Sequence, residues 1–497
     1  MCIFLCIIIR RYDVLEVGVK RTLDKNGRVI LFSSVINSIS SFMYSKLLVV
    51  MLIAAGLYFT VRTKLPQIRL FKDACKSVME KPEEDGSVSS FQALMVSTAS
   101  RVGTGNIVGV SSAICIGGYG AVFWMWVIAF IGSASAFVES TLAQVYKKRG
   151  SDGNCYGGPA YYIEAALHSR PLAVMFCVSM ILTYAFGFNM LASYNLQSTF
   201  AIFPFYNVRY MPWIIGGILA LVSGWCLIGG GKRIVKVTST VVPVMGILYV
   251  IIAILVVIIN IKSLPGVIGS IISEAFDFKA IFGGFSGSAL MQGIRRGLFS
   301  NEAGIGSAPN ASASAQISHP AKQGLVQMLS VFIDTLLLCT ATAMMCMCSG
   351  VAPSEELNGA PWVQASLSAV FGNAGPVFIT VAMILFAFTT LLGNCFYCDN
   401  LLIYIHRKEP GKKFMTGFRL VCTFVVFIGA GMSMSLLWNL ADVFMGIMAL
   451  INIPVIFILS NTAFKVLKDY EHQKKQGRNP VFHSESVGLK GKTDFWE

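Results

Sequence analysis

Apolar residues run along this chain in long unbroken stretches rather than in the alternating or one-sided patterns of soluble strands and helices. Stretches of membrane length cover roughly residues 44–61, 90–116, 119–146, 171–202, 212–229, 239–260, 281–307, 324–349, 374–405, 415–432 and 435–463. A helix needs about 20 such residues to cross a bilayer. The pattern predicts an all-α polytopic membrane protein with about 11 transmembrane helices. A β-barrel is excluded, because barrel strands alternate apolar and polar positions.

Two of the stretches are interrupted. Residues 97–110, STASRVGTGNIVGV, carry two glycines, a threonine and an asparagine with an arginine just ahead of them. Residues 297–312, GLFSNEAGIGSAPNAS, carry a second such break. Non-helical backbone at bilayer depth is tolerated only where it is buried in protein or lines a cavity. Paired broken helices in corresponding positions of two halves point to the binding site of a secondary transporter.

Composition agrees with the pattern. The chain is 55% hydrophobic and 13% charged, with mean hydropathy +0.68, whereas a soluble domain is about a quarter charged. The net charge of +14 would suit a nucleic-acid partner, but its distribution does not. Connectors on one side of the predicted membrane, with the tail, hold 26 lysines and arginines, while the opposite connectors hold only Arg209, Lys262 and Lys279. That asymmetry sets topology by the positive-inside rule, putting the C-terminus in the cytoplasm of a multi-pass cell-membrane protein. Nucleic acid is therefore not expected as a partner; the lipid bilayer is.

Most of the 13 cysteines fall inside apolar runs and read as small buried hydrophobes. Cys395 and Cys398 form a CxxC with no partner pair, which speaks against metal or redox chemistry.

Residues 1–42 read as an extension, poorly ordered or lying before the true start. Their six basic residues sit on the side that the core's charge bias assigns to the exterior. Residues 43–465 form the membrane domain and 466–497 a cytoplasmic tail. Setting aside the span at 44–61 leaves ten helices, five plus five, each half opening with a broken helix. An odd number per half inverts the second half, which is the leucine-transporter type of architecture.

Longer blocks are more specific. FQALMVSTASRVGTGNIVGV, GGYGAVFWMWVIAFIG, GGPAYYIEAAL and RRGLFSNEAGIGSAPNASASAQISHPAKQGLVQMLSVFIDT come in order, followed by FAFTTLLGN and LWNLADVFMGIMALINIPVI. Together they resemble the alanine-or-glycine:cation (sodium:alanine) symporter family over about residues 35–465. The resemblance implies a sodium-coupled importer of a small neutral amino acid, proton-coupled in some members, working by alternating access.

An amino-acid zwitterion needs donors for its carboxylate and acceptors for its ammonium. The half-helix after Val102 and Gly103 begins with Thr104, Gly105 and Asn106, whose N–H groups suit the carboxylate. Carbonyls of the second break, with the side chains of Ser300 and Asn301, suit the ammonium. Sodium prefers hard oxygen ligands; the resemblance draws them from carbonyls near Ala99 and Val102 and from the hydroxyls of Thr389 and Thr390. Threonine hydroxyls in membrane helices also bond the carbonyl one turn back. Glu302 is an intramembrane acid, a gate or a scaffold paired with Arg101, Arg295 or Arg296. Glu139, Asp334 and Asp442 are candidates for proton or structural roles, and read as paired scaffold before ion ligand.

The chain departs from the family at two positions thought to face the pocket. Ala192 stands where many members carry glutamine, and Asn394 where they carry tryptophan. Loss of an indole predicts a roomier, more polar pocket, so a larger substrate such as glutamine or serine is the alternative to the alanine–glycine class. An enzyme is not expected, because the spans hold no metal cluster or nucleophile–base set. A channel filter is missing too. A non-transporting amino-acid sensor is the distant alternative.

Overall fold

The computed structural model describes residues 28–82, 87–150, 153–277, 288–491 and 493–496. Residues 1–27 of the expected extension, and 281–287 of the seventh apolar run, lie outside that set.

Helix α1 (28–62) opens inside the expected extension, at Arg28, and runs on as one rod through a π-helical turn at Met43–Leu48. Two short helices, Pro66–Arg69 and Phe71–Val78, lead to the first broken helix, α2a (Ser90–Arg101) and α2b (Gly105–Gly117). Next come α3 (Gly120–Val145), the short α4 (Pro159–Leu167), α5 (Arg170–Ile202), α6 (Met211–Ile228) and α7 (Gly230–Ile259). A surface helix, α8 (Leu264–Ala275), joins the halves.

The second half repeats the plan. It holds α9a (Ala289–Asn301) and α9b (Ala308–Ser312), α10 (Pro320–Cys348), the short α11 (Ala360–Phe371), α12 (Ala374–His406), α13 (Lys412–Gly429) and α14 (Met434–Lys475). After each broken helix the lengths run 26, 9, 33, 18 and 30 residues in the first half, and 29, 12, 33, 18 and 42 in the second. Both broken helices also start on a serine N-cap, Ser89 accepting from Gln92 N and Ser288 from Met291 N, so each first turn has a donor satisfied. The repeat is visible in element lengths although the residues of the two halves barely match.

Among the described residues, eight helices are long and apolar enough to cross a membrane alone. The other three are the two broken helices and α13, whose Lys412, Lys413 and Arg419 raise its charge. α7 is the most lipid-facing, with only 28% of its most apolar stretch buried. Its exposed Val244, Ile247, Ile251, Ile254 and Ile258 need no polar partner in hydrocarbon.

Besides α1, two spans run nine or more residues beyond their sequence-based bounds. α7 begins at Gly230, nine residues before 239, because Gly230 takes a left-handed φ of 75° that ends the turn from α6. α14 continues past 463 to Lys475, since nothing before Gly477 (φ 73°) breaks the helix.

The tail after α14 packs on the body. Phe482 N donates to Ser318 O at 2.8 Å, Lys322 Nζ bonds Glu80 and Asn479, and Trp496 Nε1 donates to Gln144 O at 2.7 Å.

Candidate functional site

The helical ladder of α2a continues through Val102 N, which returns to Thr98 O at 2.7 Å. It then stops. The next amide, Gly103 N, would reach Ala99 O in a continuous helix, but donates to Asn106 Oδ1 at 2.9 Å. Ala99 O thereby loses its regular donor just where the chain unwinds. Gly103 and Gly105 allow close approach by two other helices. A Cβ on Gly103 would sit 2.2 Å from Thr390 Oγ1 of α12, and one on Gly105 2.5 Å from the Phe299 ring of α9a.

A small enclosed cavity lies at this break. It is lined by Ser100, Arg101, Gly103, Thr104 and Gly105 from the first broken helix, with Phe188, Leu191 and Ala192 from α5, Phe299 and Glu302 from the second broken helix, and Thr390 from α12. Its free space is on the order of one water molecule. Phe188 and Phe299 close one wall, their rings 4.8 Å apart. Behind Phe299 stands Trp438, which carries Arg296 on its face at 4.0 Å; Arg296 in turn pairs with Asp442 at 3.4 Å.

The residues expected at the site divide. Thr104, Gly105, Ala192 and Thr390 line the cavity. Thr104 Oγ1 accepts from Asn195 Nδ2 of α5 at 3.0 Å. Asn106 and Ser300 sit together behind the break: Asn106 Nδ2 donates to Asp334 Oδ1 at 2.7 Å, and Ser300 Oγ to Asp334 Oδ2 at 2.5 Å. Asn301 turns onto its own backbone, accepting from Ala303 N at 3.0 Å. Val102 and Ala99 are buried beside the break.

Thr389 and Thr390 both donate to the carbonyl one turn back, at 2.9 and 2.7 Å. Only Thr390 reaches the first broken helix; Thr389 faces Met245 of α7. Asn394 is outside the cavity lining. It accepts from Ser100 Oγ at 2.6 Å and donates to Asn189 Oδ1 at 2.9 Å, so it braces α2a against α5 from behind Ser100.

The second break, 302–307, is held differently. Glu302 takes a left-handed φ of 54°, as do Gly304 and Gly306 at 83° and 89°. Glu139 of α3 reaches across and accepts from Gly304 N at 3.3 Å and Gly306 N at 3.1 Å, while Asn452 of α14 bonds both Glu139 and Gly304 O. Glu302 accepts from Ser307 Oγ at 2.6 Å and lies 3.9 Å from Arg101, which also bonds Ser330. Of the three arginines expected as partners of Glu302, the pair is therefore with Arg101. Arg295 lies over Tyr44 and Arg296 over Trp438.

Asn195, Asn189 and Asn452 were not singled out from sequence. The signal available was a carboxamide inside an apolar run, a costly group at bilayer depth unless it has a fixed partner.

Comparison with known proteins bears on the family and the fold. The profile described as the sodium:alanine symporter family matches residues 29–484. The chain is 44% identical to the amino-acid carrier protein AlsT of Bacillus subtilis, over 94% of this chain and 98% of that protein. It is 41% identical to the probable sodium/glutamine symporter GlnT of the same organism, over 94% and 96%. Among solved structures, MhsT in complex with L-phenylalanine matches with a TM-score of 0.54 at 15% identity, covering 83% of this chain and 97% of that one. That likeness is one of fold, and it matches the leucine-transporter-type architecture with two broken helices.

Proposed function

This chain belongs to the sodium:alanine symporter family and is a multi-pass membrane transporter of amino acids, not an enzyme; from that premise we propose that it imports alanine or glycine together with sodium through the cavity at the first break. The substrate carboxylate docks on the N–H groups of Thr104 and Gly105 and on the Thr104 hydroxyl, at the positive end of α2b. Carbonyls of the second break hold the ammonium. Sodium takes the carbonyls of Ala99 and Val102 and the hydroxyl of Thr390. Thr389 is the weaker ligand candidate, facing Met245. Import runs toward the side carrying the basic connectors, with the C-terminus there.

The observation that carries this reading is the diversion of Gly103 N to Asn106 Oδ1. It frees a carbonyl beside a packed hydroxyl, the hard oxygen set a small cation requires. The wall of Phe188, Leu191 and Phe299 is apolar and offers a glutamine carboxamide no hydrogen-bond partner, which favours the alanine–glycine class.

Uptake of labelled alanine into proteoliposomes tests both parts. The expected result is accumulation driven by a sodium gradient and competed best by alanine and glycine. Accumulation driven by a proton gradient with no sodium would overturn the ion assignment. Stronger competition by glutamine or serine than by glycine would overturn the substrate assignment.

A further inference from the structure

The site just described makes no use of a buried acid beside it, Asp334 of α10, whose side chain is fully enclosed. Its Oδ1 accepts from Asn106 Nδ2 at 2.7 Å. Its Oδ2 accepts from Ser300 Oγ at 2.5 Å and from Thr335 Oγ1 at 2.9 Å. With both oxygens filled by donors, the carboxylate is an anchor and not an open ion seat.

An ionised carboxylate only accepts hydrogen bonds. It therefore admits one orientation of the Asn106 carboxamide, nitrogen toward Asp334 and oxygen away. The outward oxygen is the atom that takes the Gly103 amide. Turned the other way, Asn106 would present N–H to N–H, and Gly103 N would be left to return to Ala99 O.

We propose that Asp334 is a positioning residue for cation binding: it sets the orientation of the Asn106 carboxamide, and so holds the Gly103 amide away from Ala99 O and keeps the first break open. Through Ser300 it ties the end of α9a to the same point, so both broken helices are referenced to α10. The proposal rests on reading the break as the cation site.

A charge swap tests it in the full-length protein, read by melting without substrate and by sodium-driven alanine uptake. Asn106→Asp alone sets two acids face to face and lowers both. Adding Asp334→Asn restores the bonds with reversed polarity: the new carboxamide on α10 donates to one oxygen of the new carboxylate on α2b, whose other oxygen still accepts Gly103 N. The double variant is expected to regain most of the melting temperature and about tenfold or more of the uptake lost in Asn106→Asp, the scale of a hydrogen bond to a charged group.

Asp334→Leu, which offers no acceptor, is expected to raise the sodium concentration for half-maximal uptake about tenfold, with a smaller fall in maximal rate. A double variant that melts like wild type but transports no better than Asn106→Asp overturns the positioning role, leaving a structural pair. Asp334→Leu with unchanged sodium dependence overturns it as well. If wild-type uptake needs no sodium, the site reading falls instead, while the melting cycle still reads the hydrogen bond.

Discussion

In the first broken helix three residues, 102–104, separate the halves, and the freed amide is taken by a side chain of the same helix, Asn106. In the second, six residues, 302–307, are unwound, and two freed amides are taken by a carboxylate from another helix, Glu139, itself bonded to Asn452 of α14. Both interruptions have the same origin, glycines among polar residues in an apolar run. Their surroundings set them apart. The unwound backbone of the first faces a cavity; that of the second, beyond Glu302 at the cavity's edge, is pinned to α3 and α14. A pinned segment can serve as the frame against which the other rearranges when ligands bind. Damage to the pinned stretch of the second break, 303–307, should therefore fall first on folding, and damage to the first break on ion and substrate.

The harshest test of this contrast is Glu139→Ala. It strands two buried amides and one N–H of the Asn452 carboxamide, each at about 1–3 kcal/mol. The expected outcome is loss of most folded protein in detergent extracts, seen by size-exclusion fluorescence. Normal yield with impaired transport would erase the distinction.

Glycine substitutions probe the same contrast more finely. Gly306→Ala puts a Cβ at a φ of 89° and 2.8 Å from both Phe176 and Pro159. Left-handed strain alone costs roughly 1–2 kcal/mol, so the melting temperature should fall clearly. Gly103→Ala meets only the Thr390 side chain, whose hydroxyl can rotate away. Melting should change little, while the sodium requirement for uptake rises about tenfold, the loss of one good ligand contact. If Gly103→Ala unfolds the protein, the first break is structural too.

The paired threonines divide in the same way. Thr390→Val should weaken sodium-dependent uptake severalfold, and Thr389→Val should leave it within about twofold, since the latter hydroxyl faces Met245 and α7. Sodium titration of initial rates separates them. Equal effects would mean that the ion sits nearer α7 than the cavity lining implies.

How much of this was legible in the sequence follows from the range of each interaction. The breaks were readable because glycines and small polar residues clustered in an apolar run signal backbone that leaves the helix, which bilayer depth allows only at a buried or cavity-lining site. The ends of α2a and α9a fall at Arg101 and Asn301, within the expected stretches. The element repeat was legible only as an odd count of spans per half.

The illegible part lies in contacts between residues far apart in the chain. Glu139 reaches Gly304 across 165 positions and Asn394 meets Asn189 across 205, and no periodicity reports such pairs. Asn106 shows the limit well. Its place in the motif suited a substrate contact, yet its carboxamide is occupied by Gly103, Ser300 and Asp334. Asn394 shows another: residue size alone did not reveal that its amide is drawn to Ser100 and Asn189, outside the cavity lining.

A modest effect on KM is the most diagnostic of how the first break reads its substrate. Asn195 Nδ2 donates into a lone pair of Thr104 Oγ1 at 3.0 Å. A hydroxyl that has accepted in this way keeps its own proton for another acceptor. A carboxylate in the cavity can then receive it. Asn195→Ala removes that bias without touching the ion ligands, so KM for alanine should rise about three- to fivefold, near 1 kcal/mol, with sodium half-saturation unchanged. Asn195→Asp inverts the bias: the new carboxylate accepts the Thr104 proton and draws it away from the cavity. KM should then rise further than in Asn195→Ala, although the side chain is nearly the same size as the native one. If aspartate is the milder substitution, Thr104 holds its substrate by some contact other than its hydroxyl proton.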